Sequence, residues 1–199
     1  MTSANVLIGV VLVLNQMGYS ARIFPLGEQA DSTDTYGQAV QDPKTYRHSS
    51  PTFAFDIPDG WVEYSPAPTP NVYTKLWRVV DGVFTGSGIR ITGGPAGDVK
   101  AVWEINANDL RSEFEKEYAV RNYRTERVTI NGRNALRFEF DSQLPDNGKT
   151  IPVKFVGHTF LVKDSAGEYL IMALLLSRVF EITADNAGYM TVVNSLKFH

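Results

Sequence analysis

The sequence contains no cysteine among its 199 residues. This absence excludes disulfide bonds, thiolate metal sites, cysteine nucleophiles and the acylated cysteine that anchors a bacterial lipoprotein. It leaves the redox compartment open, because a chain without cysteine is compatible with any of them. A chain of this length, with 43% hydrophobic residues, can bury the core of one ordinary domain and still carry an extension.

The motifs that mark common catalytic and cofactor sites are also missing. There is no HExxH zinc motif, no acidic calcium loop and no GxSxG nucleophile turn. The glycine-rich stretches 86–88 and 93–97 lack the GxGxxG spacing and a following Lys-Ser/Thr, and Pro95 removes an N–H group that a phosphate would need. We therefore expect no catalytic residues, no cofactor-binding residues and no enzymatic activity.

Histidine is scarce and does not cluster in the sequence, which argues against a metal site. His158 falls in a predicted central strand, where a hydrogen-bonded core histidine is the favoured interpretation. The other two are His48, in a polar segment, and His199, at the end of the chain. The formal net charge of −3 and the pI of about 5.6 give no general attraction for nucleic acid.

Charge is absent from the start of the chain, since no Asp, Glu, Lys or Arg occurs between Thr2 and Ala21. Twenty helical residues would cover about 30 Å, the thickness of a bilayer core. We predict that residues 1–22 form an apolar arm that contacts a membrane or is buried by a partner. The predicted anchor residues are Val6, Leu7, Ile8, Val10, Val11, Leu12, Val13 and Leu14.

Three interpretations of this arm stay open: an uncleaved membrane segment, a cleaved signal peptide, and a β-branched strand covered by a partner or by the domain itself. Residues 23–50 are polar and rich in turn-forming residues, which predicts a linker. Residues 51–199 are predicted to form the folded domain.

The domain begins with an alternating strand, in which Phe53, Phe55 and Ile57 share one face. Pro58 ends this strand, and Trp61 returns to the core after a turn. Further strands are predicted near 72–80, 88–92, 124–130, 134–142, 152–163 and 168–177. The last two are apolar on both faces, as expected of strands covered on both sides.

Two helices are predicted from apolar residues spaced three and four apart. The first covers about 104–118, and its inward residues are Ala107, Leu110, Phe114 and Tyr118. The second covers about 180–195, and its inward residues are Phe180, Ala184, Ala187, Met190 and Val193.

The hairpin around Asn131-Gly132 is predicted to have a three-residue loop that includes Arg133. This register pairs Val128 with Leu136 and puts all large apolar residues of both strands on one face. It also sets Arg127 opposite Arg137, a like-charge pair that needs acidic compensation within the domain or on a partner. We therefore predict a partner-binding surface made of Arg121, Arg124, Arg127 and Arg137.

Three segments together resemble the Mog1/PsbP-like superfamily over about residues 51–199. They are the Phe-x-Phe-x-Ile-Pro-x-Gly-Trp entry, the hairpin with its Asn-Gly, and the closing Ser195-Leu196-Lys197-Phe198. The resemblance implies an α/β (α+β) fold, in which an antiparallel sheet is sandwiched between helices, here with an apolar N-terminal arm.

Branches of that superfamily include extrinsic photosystem II subunits, small-GTPase cofactors of nuclear transport, and bacterial secretion chaperones or envelope proteins. The resemblance implies a non-catalytic accessory or assembly subunit that binds and stabilises a larger membrane protein complex, with a photosynthetic or electron-transport complex as the candidate host. Membrane association on a periplasmic or luminal face, other protein subunits as partners and no cofactor are expected. The alternative is a soluble chaperone or regulator of a secreted protein or small GTPase.

Overall fold

A computed structural model describes residues 45–64, 71–146 and 149–199. The predicted arm, with all its anchor residues, and residues 23–44 of the predicted linker lie outside this described part. The described strands are β1 Thr45–Ser49, β2 Thr52–Asp56, β3 Trp61–Tyr64, β4 Val72–Val80, β5 Val83–Pro95, β6 Arg121–Ile130, β7 Arg133–Asp146, β8 Lys149–Asp164, β9 Gly167–Arg178 and β10 Lys197–Phe198. The helices are a 3-10 helix, Val102–Glu104, then α1 Ala107–Glu115 and α2 Ile182–Ser195.

Seven strands form one antiparallel sheet in the order β3-β4-β5-β9-β8-β7-β6. The central strands β5, β9 and β8 are buried along most of their length. Because successive side chains of a strand point to opposite faces, such strands need a cover on each side. This arrangement confirms the predicted antiparallel sheet between helical layers.

One face of this sheet, which we call the α1 face, is covered by the 3-10 helix and α1. Asn106 begins α1, because its side-chain oxygen accepts a hydrogen bond from the backbone N–H two residues later. Leu110 and Phe114, four residues apart, are buried as predicted. The Phe114 ring lies 5.2 Å from the Phe138 ring and 4.8 Å from the Phe140 ring, centroid to centroid.

The opposite face, the α2 face, is covered by α2 and by a small antiparallel sheet in the order β1-β2-β10. The predicted strand at Phe53 is β2, and Phe53 and Phe55 are both 1% exposed. Thr45–Ser49, which was predicted to belong to the linker, forms β1 and pairs with β2. Tyr46 of β1 stacks on Phe55 with a centroid distance of 5.0 Å, so this end of the predicted linker is part of the folded unit.

The inward face of α2 differs from the prediction. Phe180 precedes the helix and is 75% exposed, and Ala184 and Ala187 are exposed as well. The predicted face consisted of apolar residues alone, whereas this helix buries an aspartate and a tyrosine that have polar partners in the sheet. The buried side chains of α2 are Asp185, Tyr189, Val192 and Val193.

The hairpin between β6 and β7 has a two-residue turn, so the predicted three-residue loop is wrong. Asn131 and Gly132 have φ values of 51° and 76°, the left-handed values that a type I′ turn requires. Val128 pairs with Ala135 instead of Leu136. The prediction assumed that the apolar residues of both strands face one core, but Val128 lies on the α2 face and Leu136 on the α1 face.

The contact between Trp61 and Gly188 sets how closely α2 approaches the sheet. Trp61 begins β3 and is 5% exposed, as the sequence predicted for a core residue. A Cβ atom added at Gly188 would lie 2.4 Å from Nε1 of the Trp61 indole, well inside van der Waals contact. The helix therefore needs a residue without a side chain at this position.

We expect Gly188→Ala to lower the free energy of unfolding by about 1–3 kcal/mol, because the added methyl group overpacks the Trp61 ring. This loss should appear although alanine favours an isolated helix by about 1 kcal/mol. Urea unfolding of the parent and of the variants measures these differences in the free energy of unfolding. Combining Gly188→Ala with Trp61→Phe should cost less than the sum of the single variants, and strict additivity would show that the two residues do not touch.

Candidate protein-binding surface

The four arginines of the predicted surface lie on the last two strands of the large sheet. Arg121, Arg124 and Arg127 belong to β6, the outermost strand, and Arg137 belongs to β7. The three on β6 are exposed, while the Arg137 side chain is 31% exposed.

The observed register divides these arginines between the two faces. Arg137 pairs with Glu126, and Arg127 pairs with Leu136, so the predicted pairing of Arg127 with Arg137 is wrong. Residues directly opposite each other share a face of a sheet. Arg137 therefore lies on the α2 face, together with Arg124, whereas Arg127 lies on the α1 face beside Leu136.

Arg137 is compensated within the domain. Its Nη2 donates to Oε2 of Glu139 at 2.5 Å, and its Nη1 lies 3.7 Å from Oε2 of Glu126. Lys154 of β8 contacts the other Glu139 oxygen at 3.4 Å. Partial burial raises the pKa of Glu139, but the hydrogen bond from Arg137 and the charges of Arg137 and Lys154 outweigh it, so the pKa lies below its usual value.

Arg121, Arg124 and Arg127, in contrast, form no ion pair with any residue in the described part of the chain. Arg124 lies opposite Glu139 in the register, but both Glu139 oxygens contact Arg137 and Lys154. We call these three β6 arginines the cationic edge. Their charges remain available to another molecule, which is the property expected of a docking surface.

His158 is a core residue, as predicted. It is 1% exposed, and its Nδ1 lies 2.9 Å from the hydroxyl of Tyr189 in α2. That hydroxyl donates its only proton to the backbone oxygen of Ala173, so His158 Nδ1 is the donor of the other bond. Burial, and then the nearby charge of Arg137, lower the pKa of His158 to about 4.

A second buried polar group, which was not predicted, connects α2 to the sheet. Asp185 is fully buried and accepts hydrogen bonds from Arg78 of β4 and from the Ser177 hydroxyl of β9. Buried charges are found in pairs because an unpaired one is costly. This group positions α2.

No arrangement of three or more His, Asp or Glu that would suit a metal ion occurs in residues 45–64, 71–146 and 149–199.

Exposed apolar side chains at the end of the sheet were also missed. Val80 and Val83 flank the turn between β4 and β5, and Val179 and Phe180 lie between β9 and α2. A hydrogen bond of 3.1 Å from the Ser87 hydroxyl to Glu181 connects β5 to the start of α2. The turn at 81–82 could have indicated that Val80 and Val83 are exposed. Phe180 was predicted to be an inward residue of the last helix, so its exposure was not expected.

Comparison with solved structures assigns the fold. Over 82% of the chain and 99% of the other protein, the structure matches the solution structure of cyanobacterial PsbP (CyanoP) from Synechocystis sp. PCC 6803, with a TM-score of 0.57 and 14% identity. The chain has the Mog1/PsbP-like fold. The resemblance drawn from the sequence is thus confirmed at the level of the fold.

Two further solved structures are similar. LpqN, involved in cell envelope biogenesis of Mycobacterium tuberculosis, matches with a TM-score of 0.52 and 11% identity over 77% of this chain and 90% of LpqN. The Ran-binding protein Mog1p of Saccharomyces cerevisiae gives a TM-score of 0.46 and 11% identity, over 79% of this chain and 95% of Mog1p. No protein-family model and no curated protein matches the sequence.

Within the described residues, the helices are too short or too polar to cross a bilayer.

The contribution of His158 to stability should fall as the pH is lowered from about 6.5 to about 4, because the unfolded state binds a proton at His158 that the folded state rejects. The contribution is fully present above the usual pKa of 6.5 and amounts to about 3 kcal/mol at about 1.4 kcal/mol per pKa unit. Unfolding free energies measured across this range should show a smaller fall in His158→Gln. His48→Gln should retain the full fall, and identical pH profiles for the parent and His158→Gln would contradict the assignment.

Proposed function

We propose that the protein is a non-catalytic accessory or assembly subunit that binds and stabilises a larger membrane protein complex. The observation that carries this proposal is the cationic edge, where three exposed arginines lie on an outer strand without acidic partners in the described residues. Arg137, the fourth arginine of the predicted surface, contributes positive potential but is already paired. The positive potential would attract a partner with acidic groups to this strand, and those groups would form ion pairs with its arginines.

The fold supports the proposal in a general way. It is shared with cyanobacterial PsbP and with LpqN, which is involved in cell envelope biogenesis. On this analogy, the host is a photosynthetic or electron-transport complex, and the protein associates with its periplasmic or luminal face. The apolar run from Val6 to Leu14 is proposed as the membrane or partner anchor.

A second candidate is a soluble chaperone or regulator of a secreted protein or small GTPase. The exposed apolar residues favour the chaperone form of it, since Phe180 is 75% and Val83 is 58% exposed. Apolar surface that is left exposed is typical of sites that hold other proteins. This function would need no anchor, so a test of the arm separates it from the first.

Reversing a charge of the cationic edge should weaken association with the partner. We expect Arg124→Glu to reduce the recovery of copurifying chains in mild detergent, and the difference from the parent to be largest at low salt, because salt screens the interaction between exposed charges. Arg47→Glu, which makes the same charge change at an exposed position of β1, should not. Melting temperatures should stay within the small range typical of surface substitutions. Normal recovery with Arg124→Glu would show that the interface lies elsewhere.

Attachment to the membrane fraction should depend on the apolar arm. Val10→Asp introduces a charge that is costly in an apolar site, so the variant should shift toward the soluble fraction. Ser32→Asp adds the same charge in the predicted linker and should leave fractionation unchanged. If Val10→Asp stays with the membranes, the arm is not the anchor; if the parent is soluble from the start, the chaperone or regulator function gains support.

A further inference from the structure

Among the described strands, β6 lies at an edge of the large sheet. It is the last strand in the sheet order, and no other strand in the described residues pairs with its outer side. Its pairing with β7 is regular from Arg124 to Ile130, after an irregularity between Arg121 and Arg124. An edge strand presents unpaired N–H and C=O groups, to which another extended chain can bond.

The turn identifies which backbone groups face outward. In the two-residue turn, the residues that flank it, Ile130 and Arg133, are bonded to each other. In an antiparallel ladder, every second residue bonds to the neighbouring strand and the others point away from it. Thr125, Arg127 and Thr129 therefore direct their N–H and C=O groups away from β7.

The charges of this edge that have no ion pair within the described residues are all positive. Natural edge strands are protected by charges and bulges, and β6 has both, since Asn122 in its irregular start has a φ of 53°. The only acidic residue of β6 is Glu126, which already contacts Arg137. A second copy of the chain would bring the same three arginines to the edge and be repelled, whereas an acidic segment would be attracted.

We infer that β6 is a docking edge for an extended acidic segment of a partner protein, which adds to the sheet as a further strand beside β6. The inference rests on the proposed function and states how its partner is held. Main-chain hydrogen bonds would supply affinity, and side chains on alternate faces would supply specificity.

The register defines the segment that fits. Arg124 lies on the α2 face and Arg127 on the α1 face, so the segment needs acidic residues three positions apart, one on each face. Opposite Glu126 it needs an uncharged residue. Opposite the partly exposed Val128 and Ile130, β-branched residues fit best.

A synthetic peptide with this pattern tests the inference on the full chain. The probe carries two Glu three positions apart with Thr and Val elsewhere, and the control peptide has Gln in place of both Glu. We expect the Glu peptide to bind about tenfold more tightly at low salt, a difference that shrinks at high salt. Amide exchange should slow at Thr125, Arg127 and Thr129 on binding. Protection of a different set of amides, or equal binding of the Gln peptide, would overturn the inference.

Removing one outward N–H provides a variant with a matched control. Thr125→Pro deletes the donor on the open side, a position where proline is tolerated in edge strands, and should weaken binding of the Glu peptide about tenfold. Thr125→Val keeps the N–H and should bind as the parent does. Because the proline could disturb the fold, a second measurement leaves the protein unchanged: N-methylation of the alternate peptide amides that face β6 should abolish binding, and methylation of the other set should not.

The outcomes separate the binding mode from the proposed function. If Arg124→Glu releases the copurifying chains but Thr125→Pro does not, the function stands and strand addition is wrong. If neither variant releases them, the cationic edge itself is not the interface. Self-association that is lost in Thr125→Pro would identify a second copy as the occupant and would also overturn the inference.

Discussion

Burial of the central strands on both faces is the constraint on which the rest of the structure depends. In β9, the residues from Leu170 to Leu176 are all buried, and they alternate between the two cores. Each such apolar side chain contributes about 1.5–3 kcal/mol when it leaves water, so neither face can be left open. One layer comes from the 3-10 helix and α1 inside the chain. The other comes from the two ends of the folded unit, where β1 and β2 meet α2 and β10.

Apolar contact alone does not explain how the second layer finds its place, because it is non-directional. Two sets of hydrogen bonds determine where α2 lies on the sheet: Asp185 bonds to Arg78 and Ser177, and Tyr189 bonds to His158. A shift of α2 by one turn would leave these buried groups without partners, at a cost comparable to losing a core side chain. Gly188 lies between them in the helix and allows its close approach to Trp61. The polar bonds and the missing side chain thus select one register for the helix.

The difference between apolar burial and specific polar contacts explains which features could be predicted from the sequence. Alternation at Phe53, the two-sided apolar strands and the first helix were readable, because burial of large apolar residues determines them. The inward face of α2 was not, since Asp185 becomes a buried residue only when Arg78 approaches from a distant strand. The hairpin register failed for a related reason: β6 and β7 contribute their apolar residues to different cores. The Asn-Gly dipeptide correctly indicated a two-residue turn. The longer loop was predicted because all apolar residues of the hairpin were assumed to face one core. The four arginines remain a predicted surface; the fold shows that three of them are exposed on β6, whereas Arg137 is paired with acidic neighbours whose contacts the sequence did not reveal.

The same turn decides which arginines of the hairpin are paired with acidic groups in the described residues. A loop longer by one residue would place Arg127 opposite Arg137 on one face, as a repulsive pair. With the two-residue turn, Arg137 meets Glu126 and Glu139, and Arg127 moves to the α1 face beside Leu136. Arg137 is thereby paired with acidic groups, whereas the three arginines of the outermost strand have no ion pair in the described residues. An edge that must stay open to accept another chain needs protection against its own copies, and three like charges provide it. Turn chemistry and edge protection therefore place the available charge next to the available hydrogen-bonding groups.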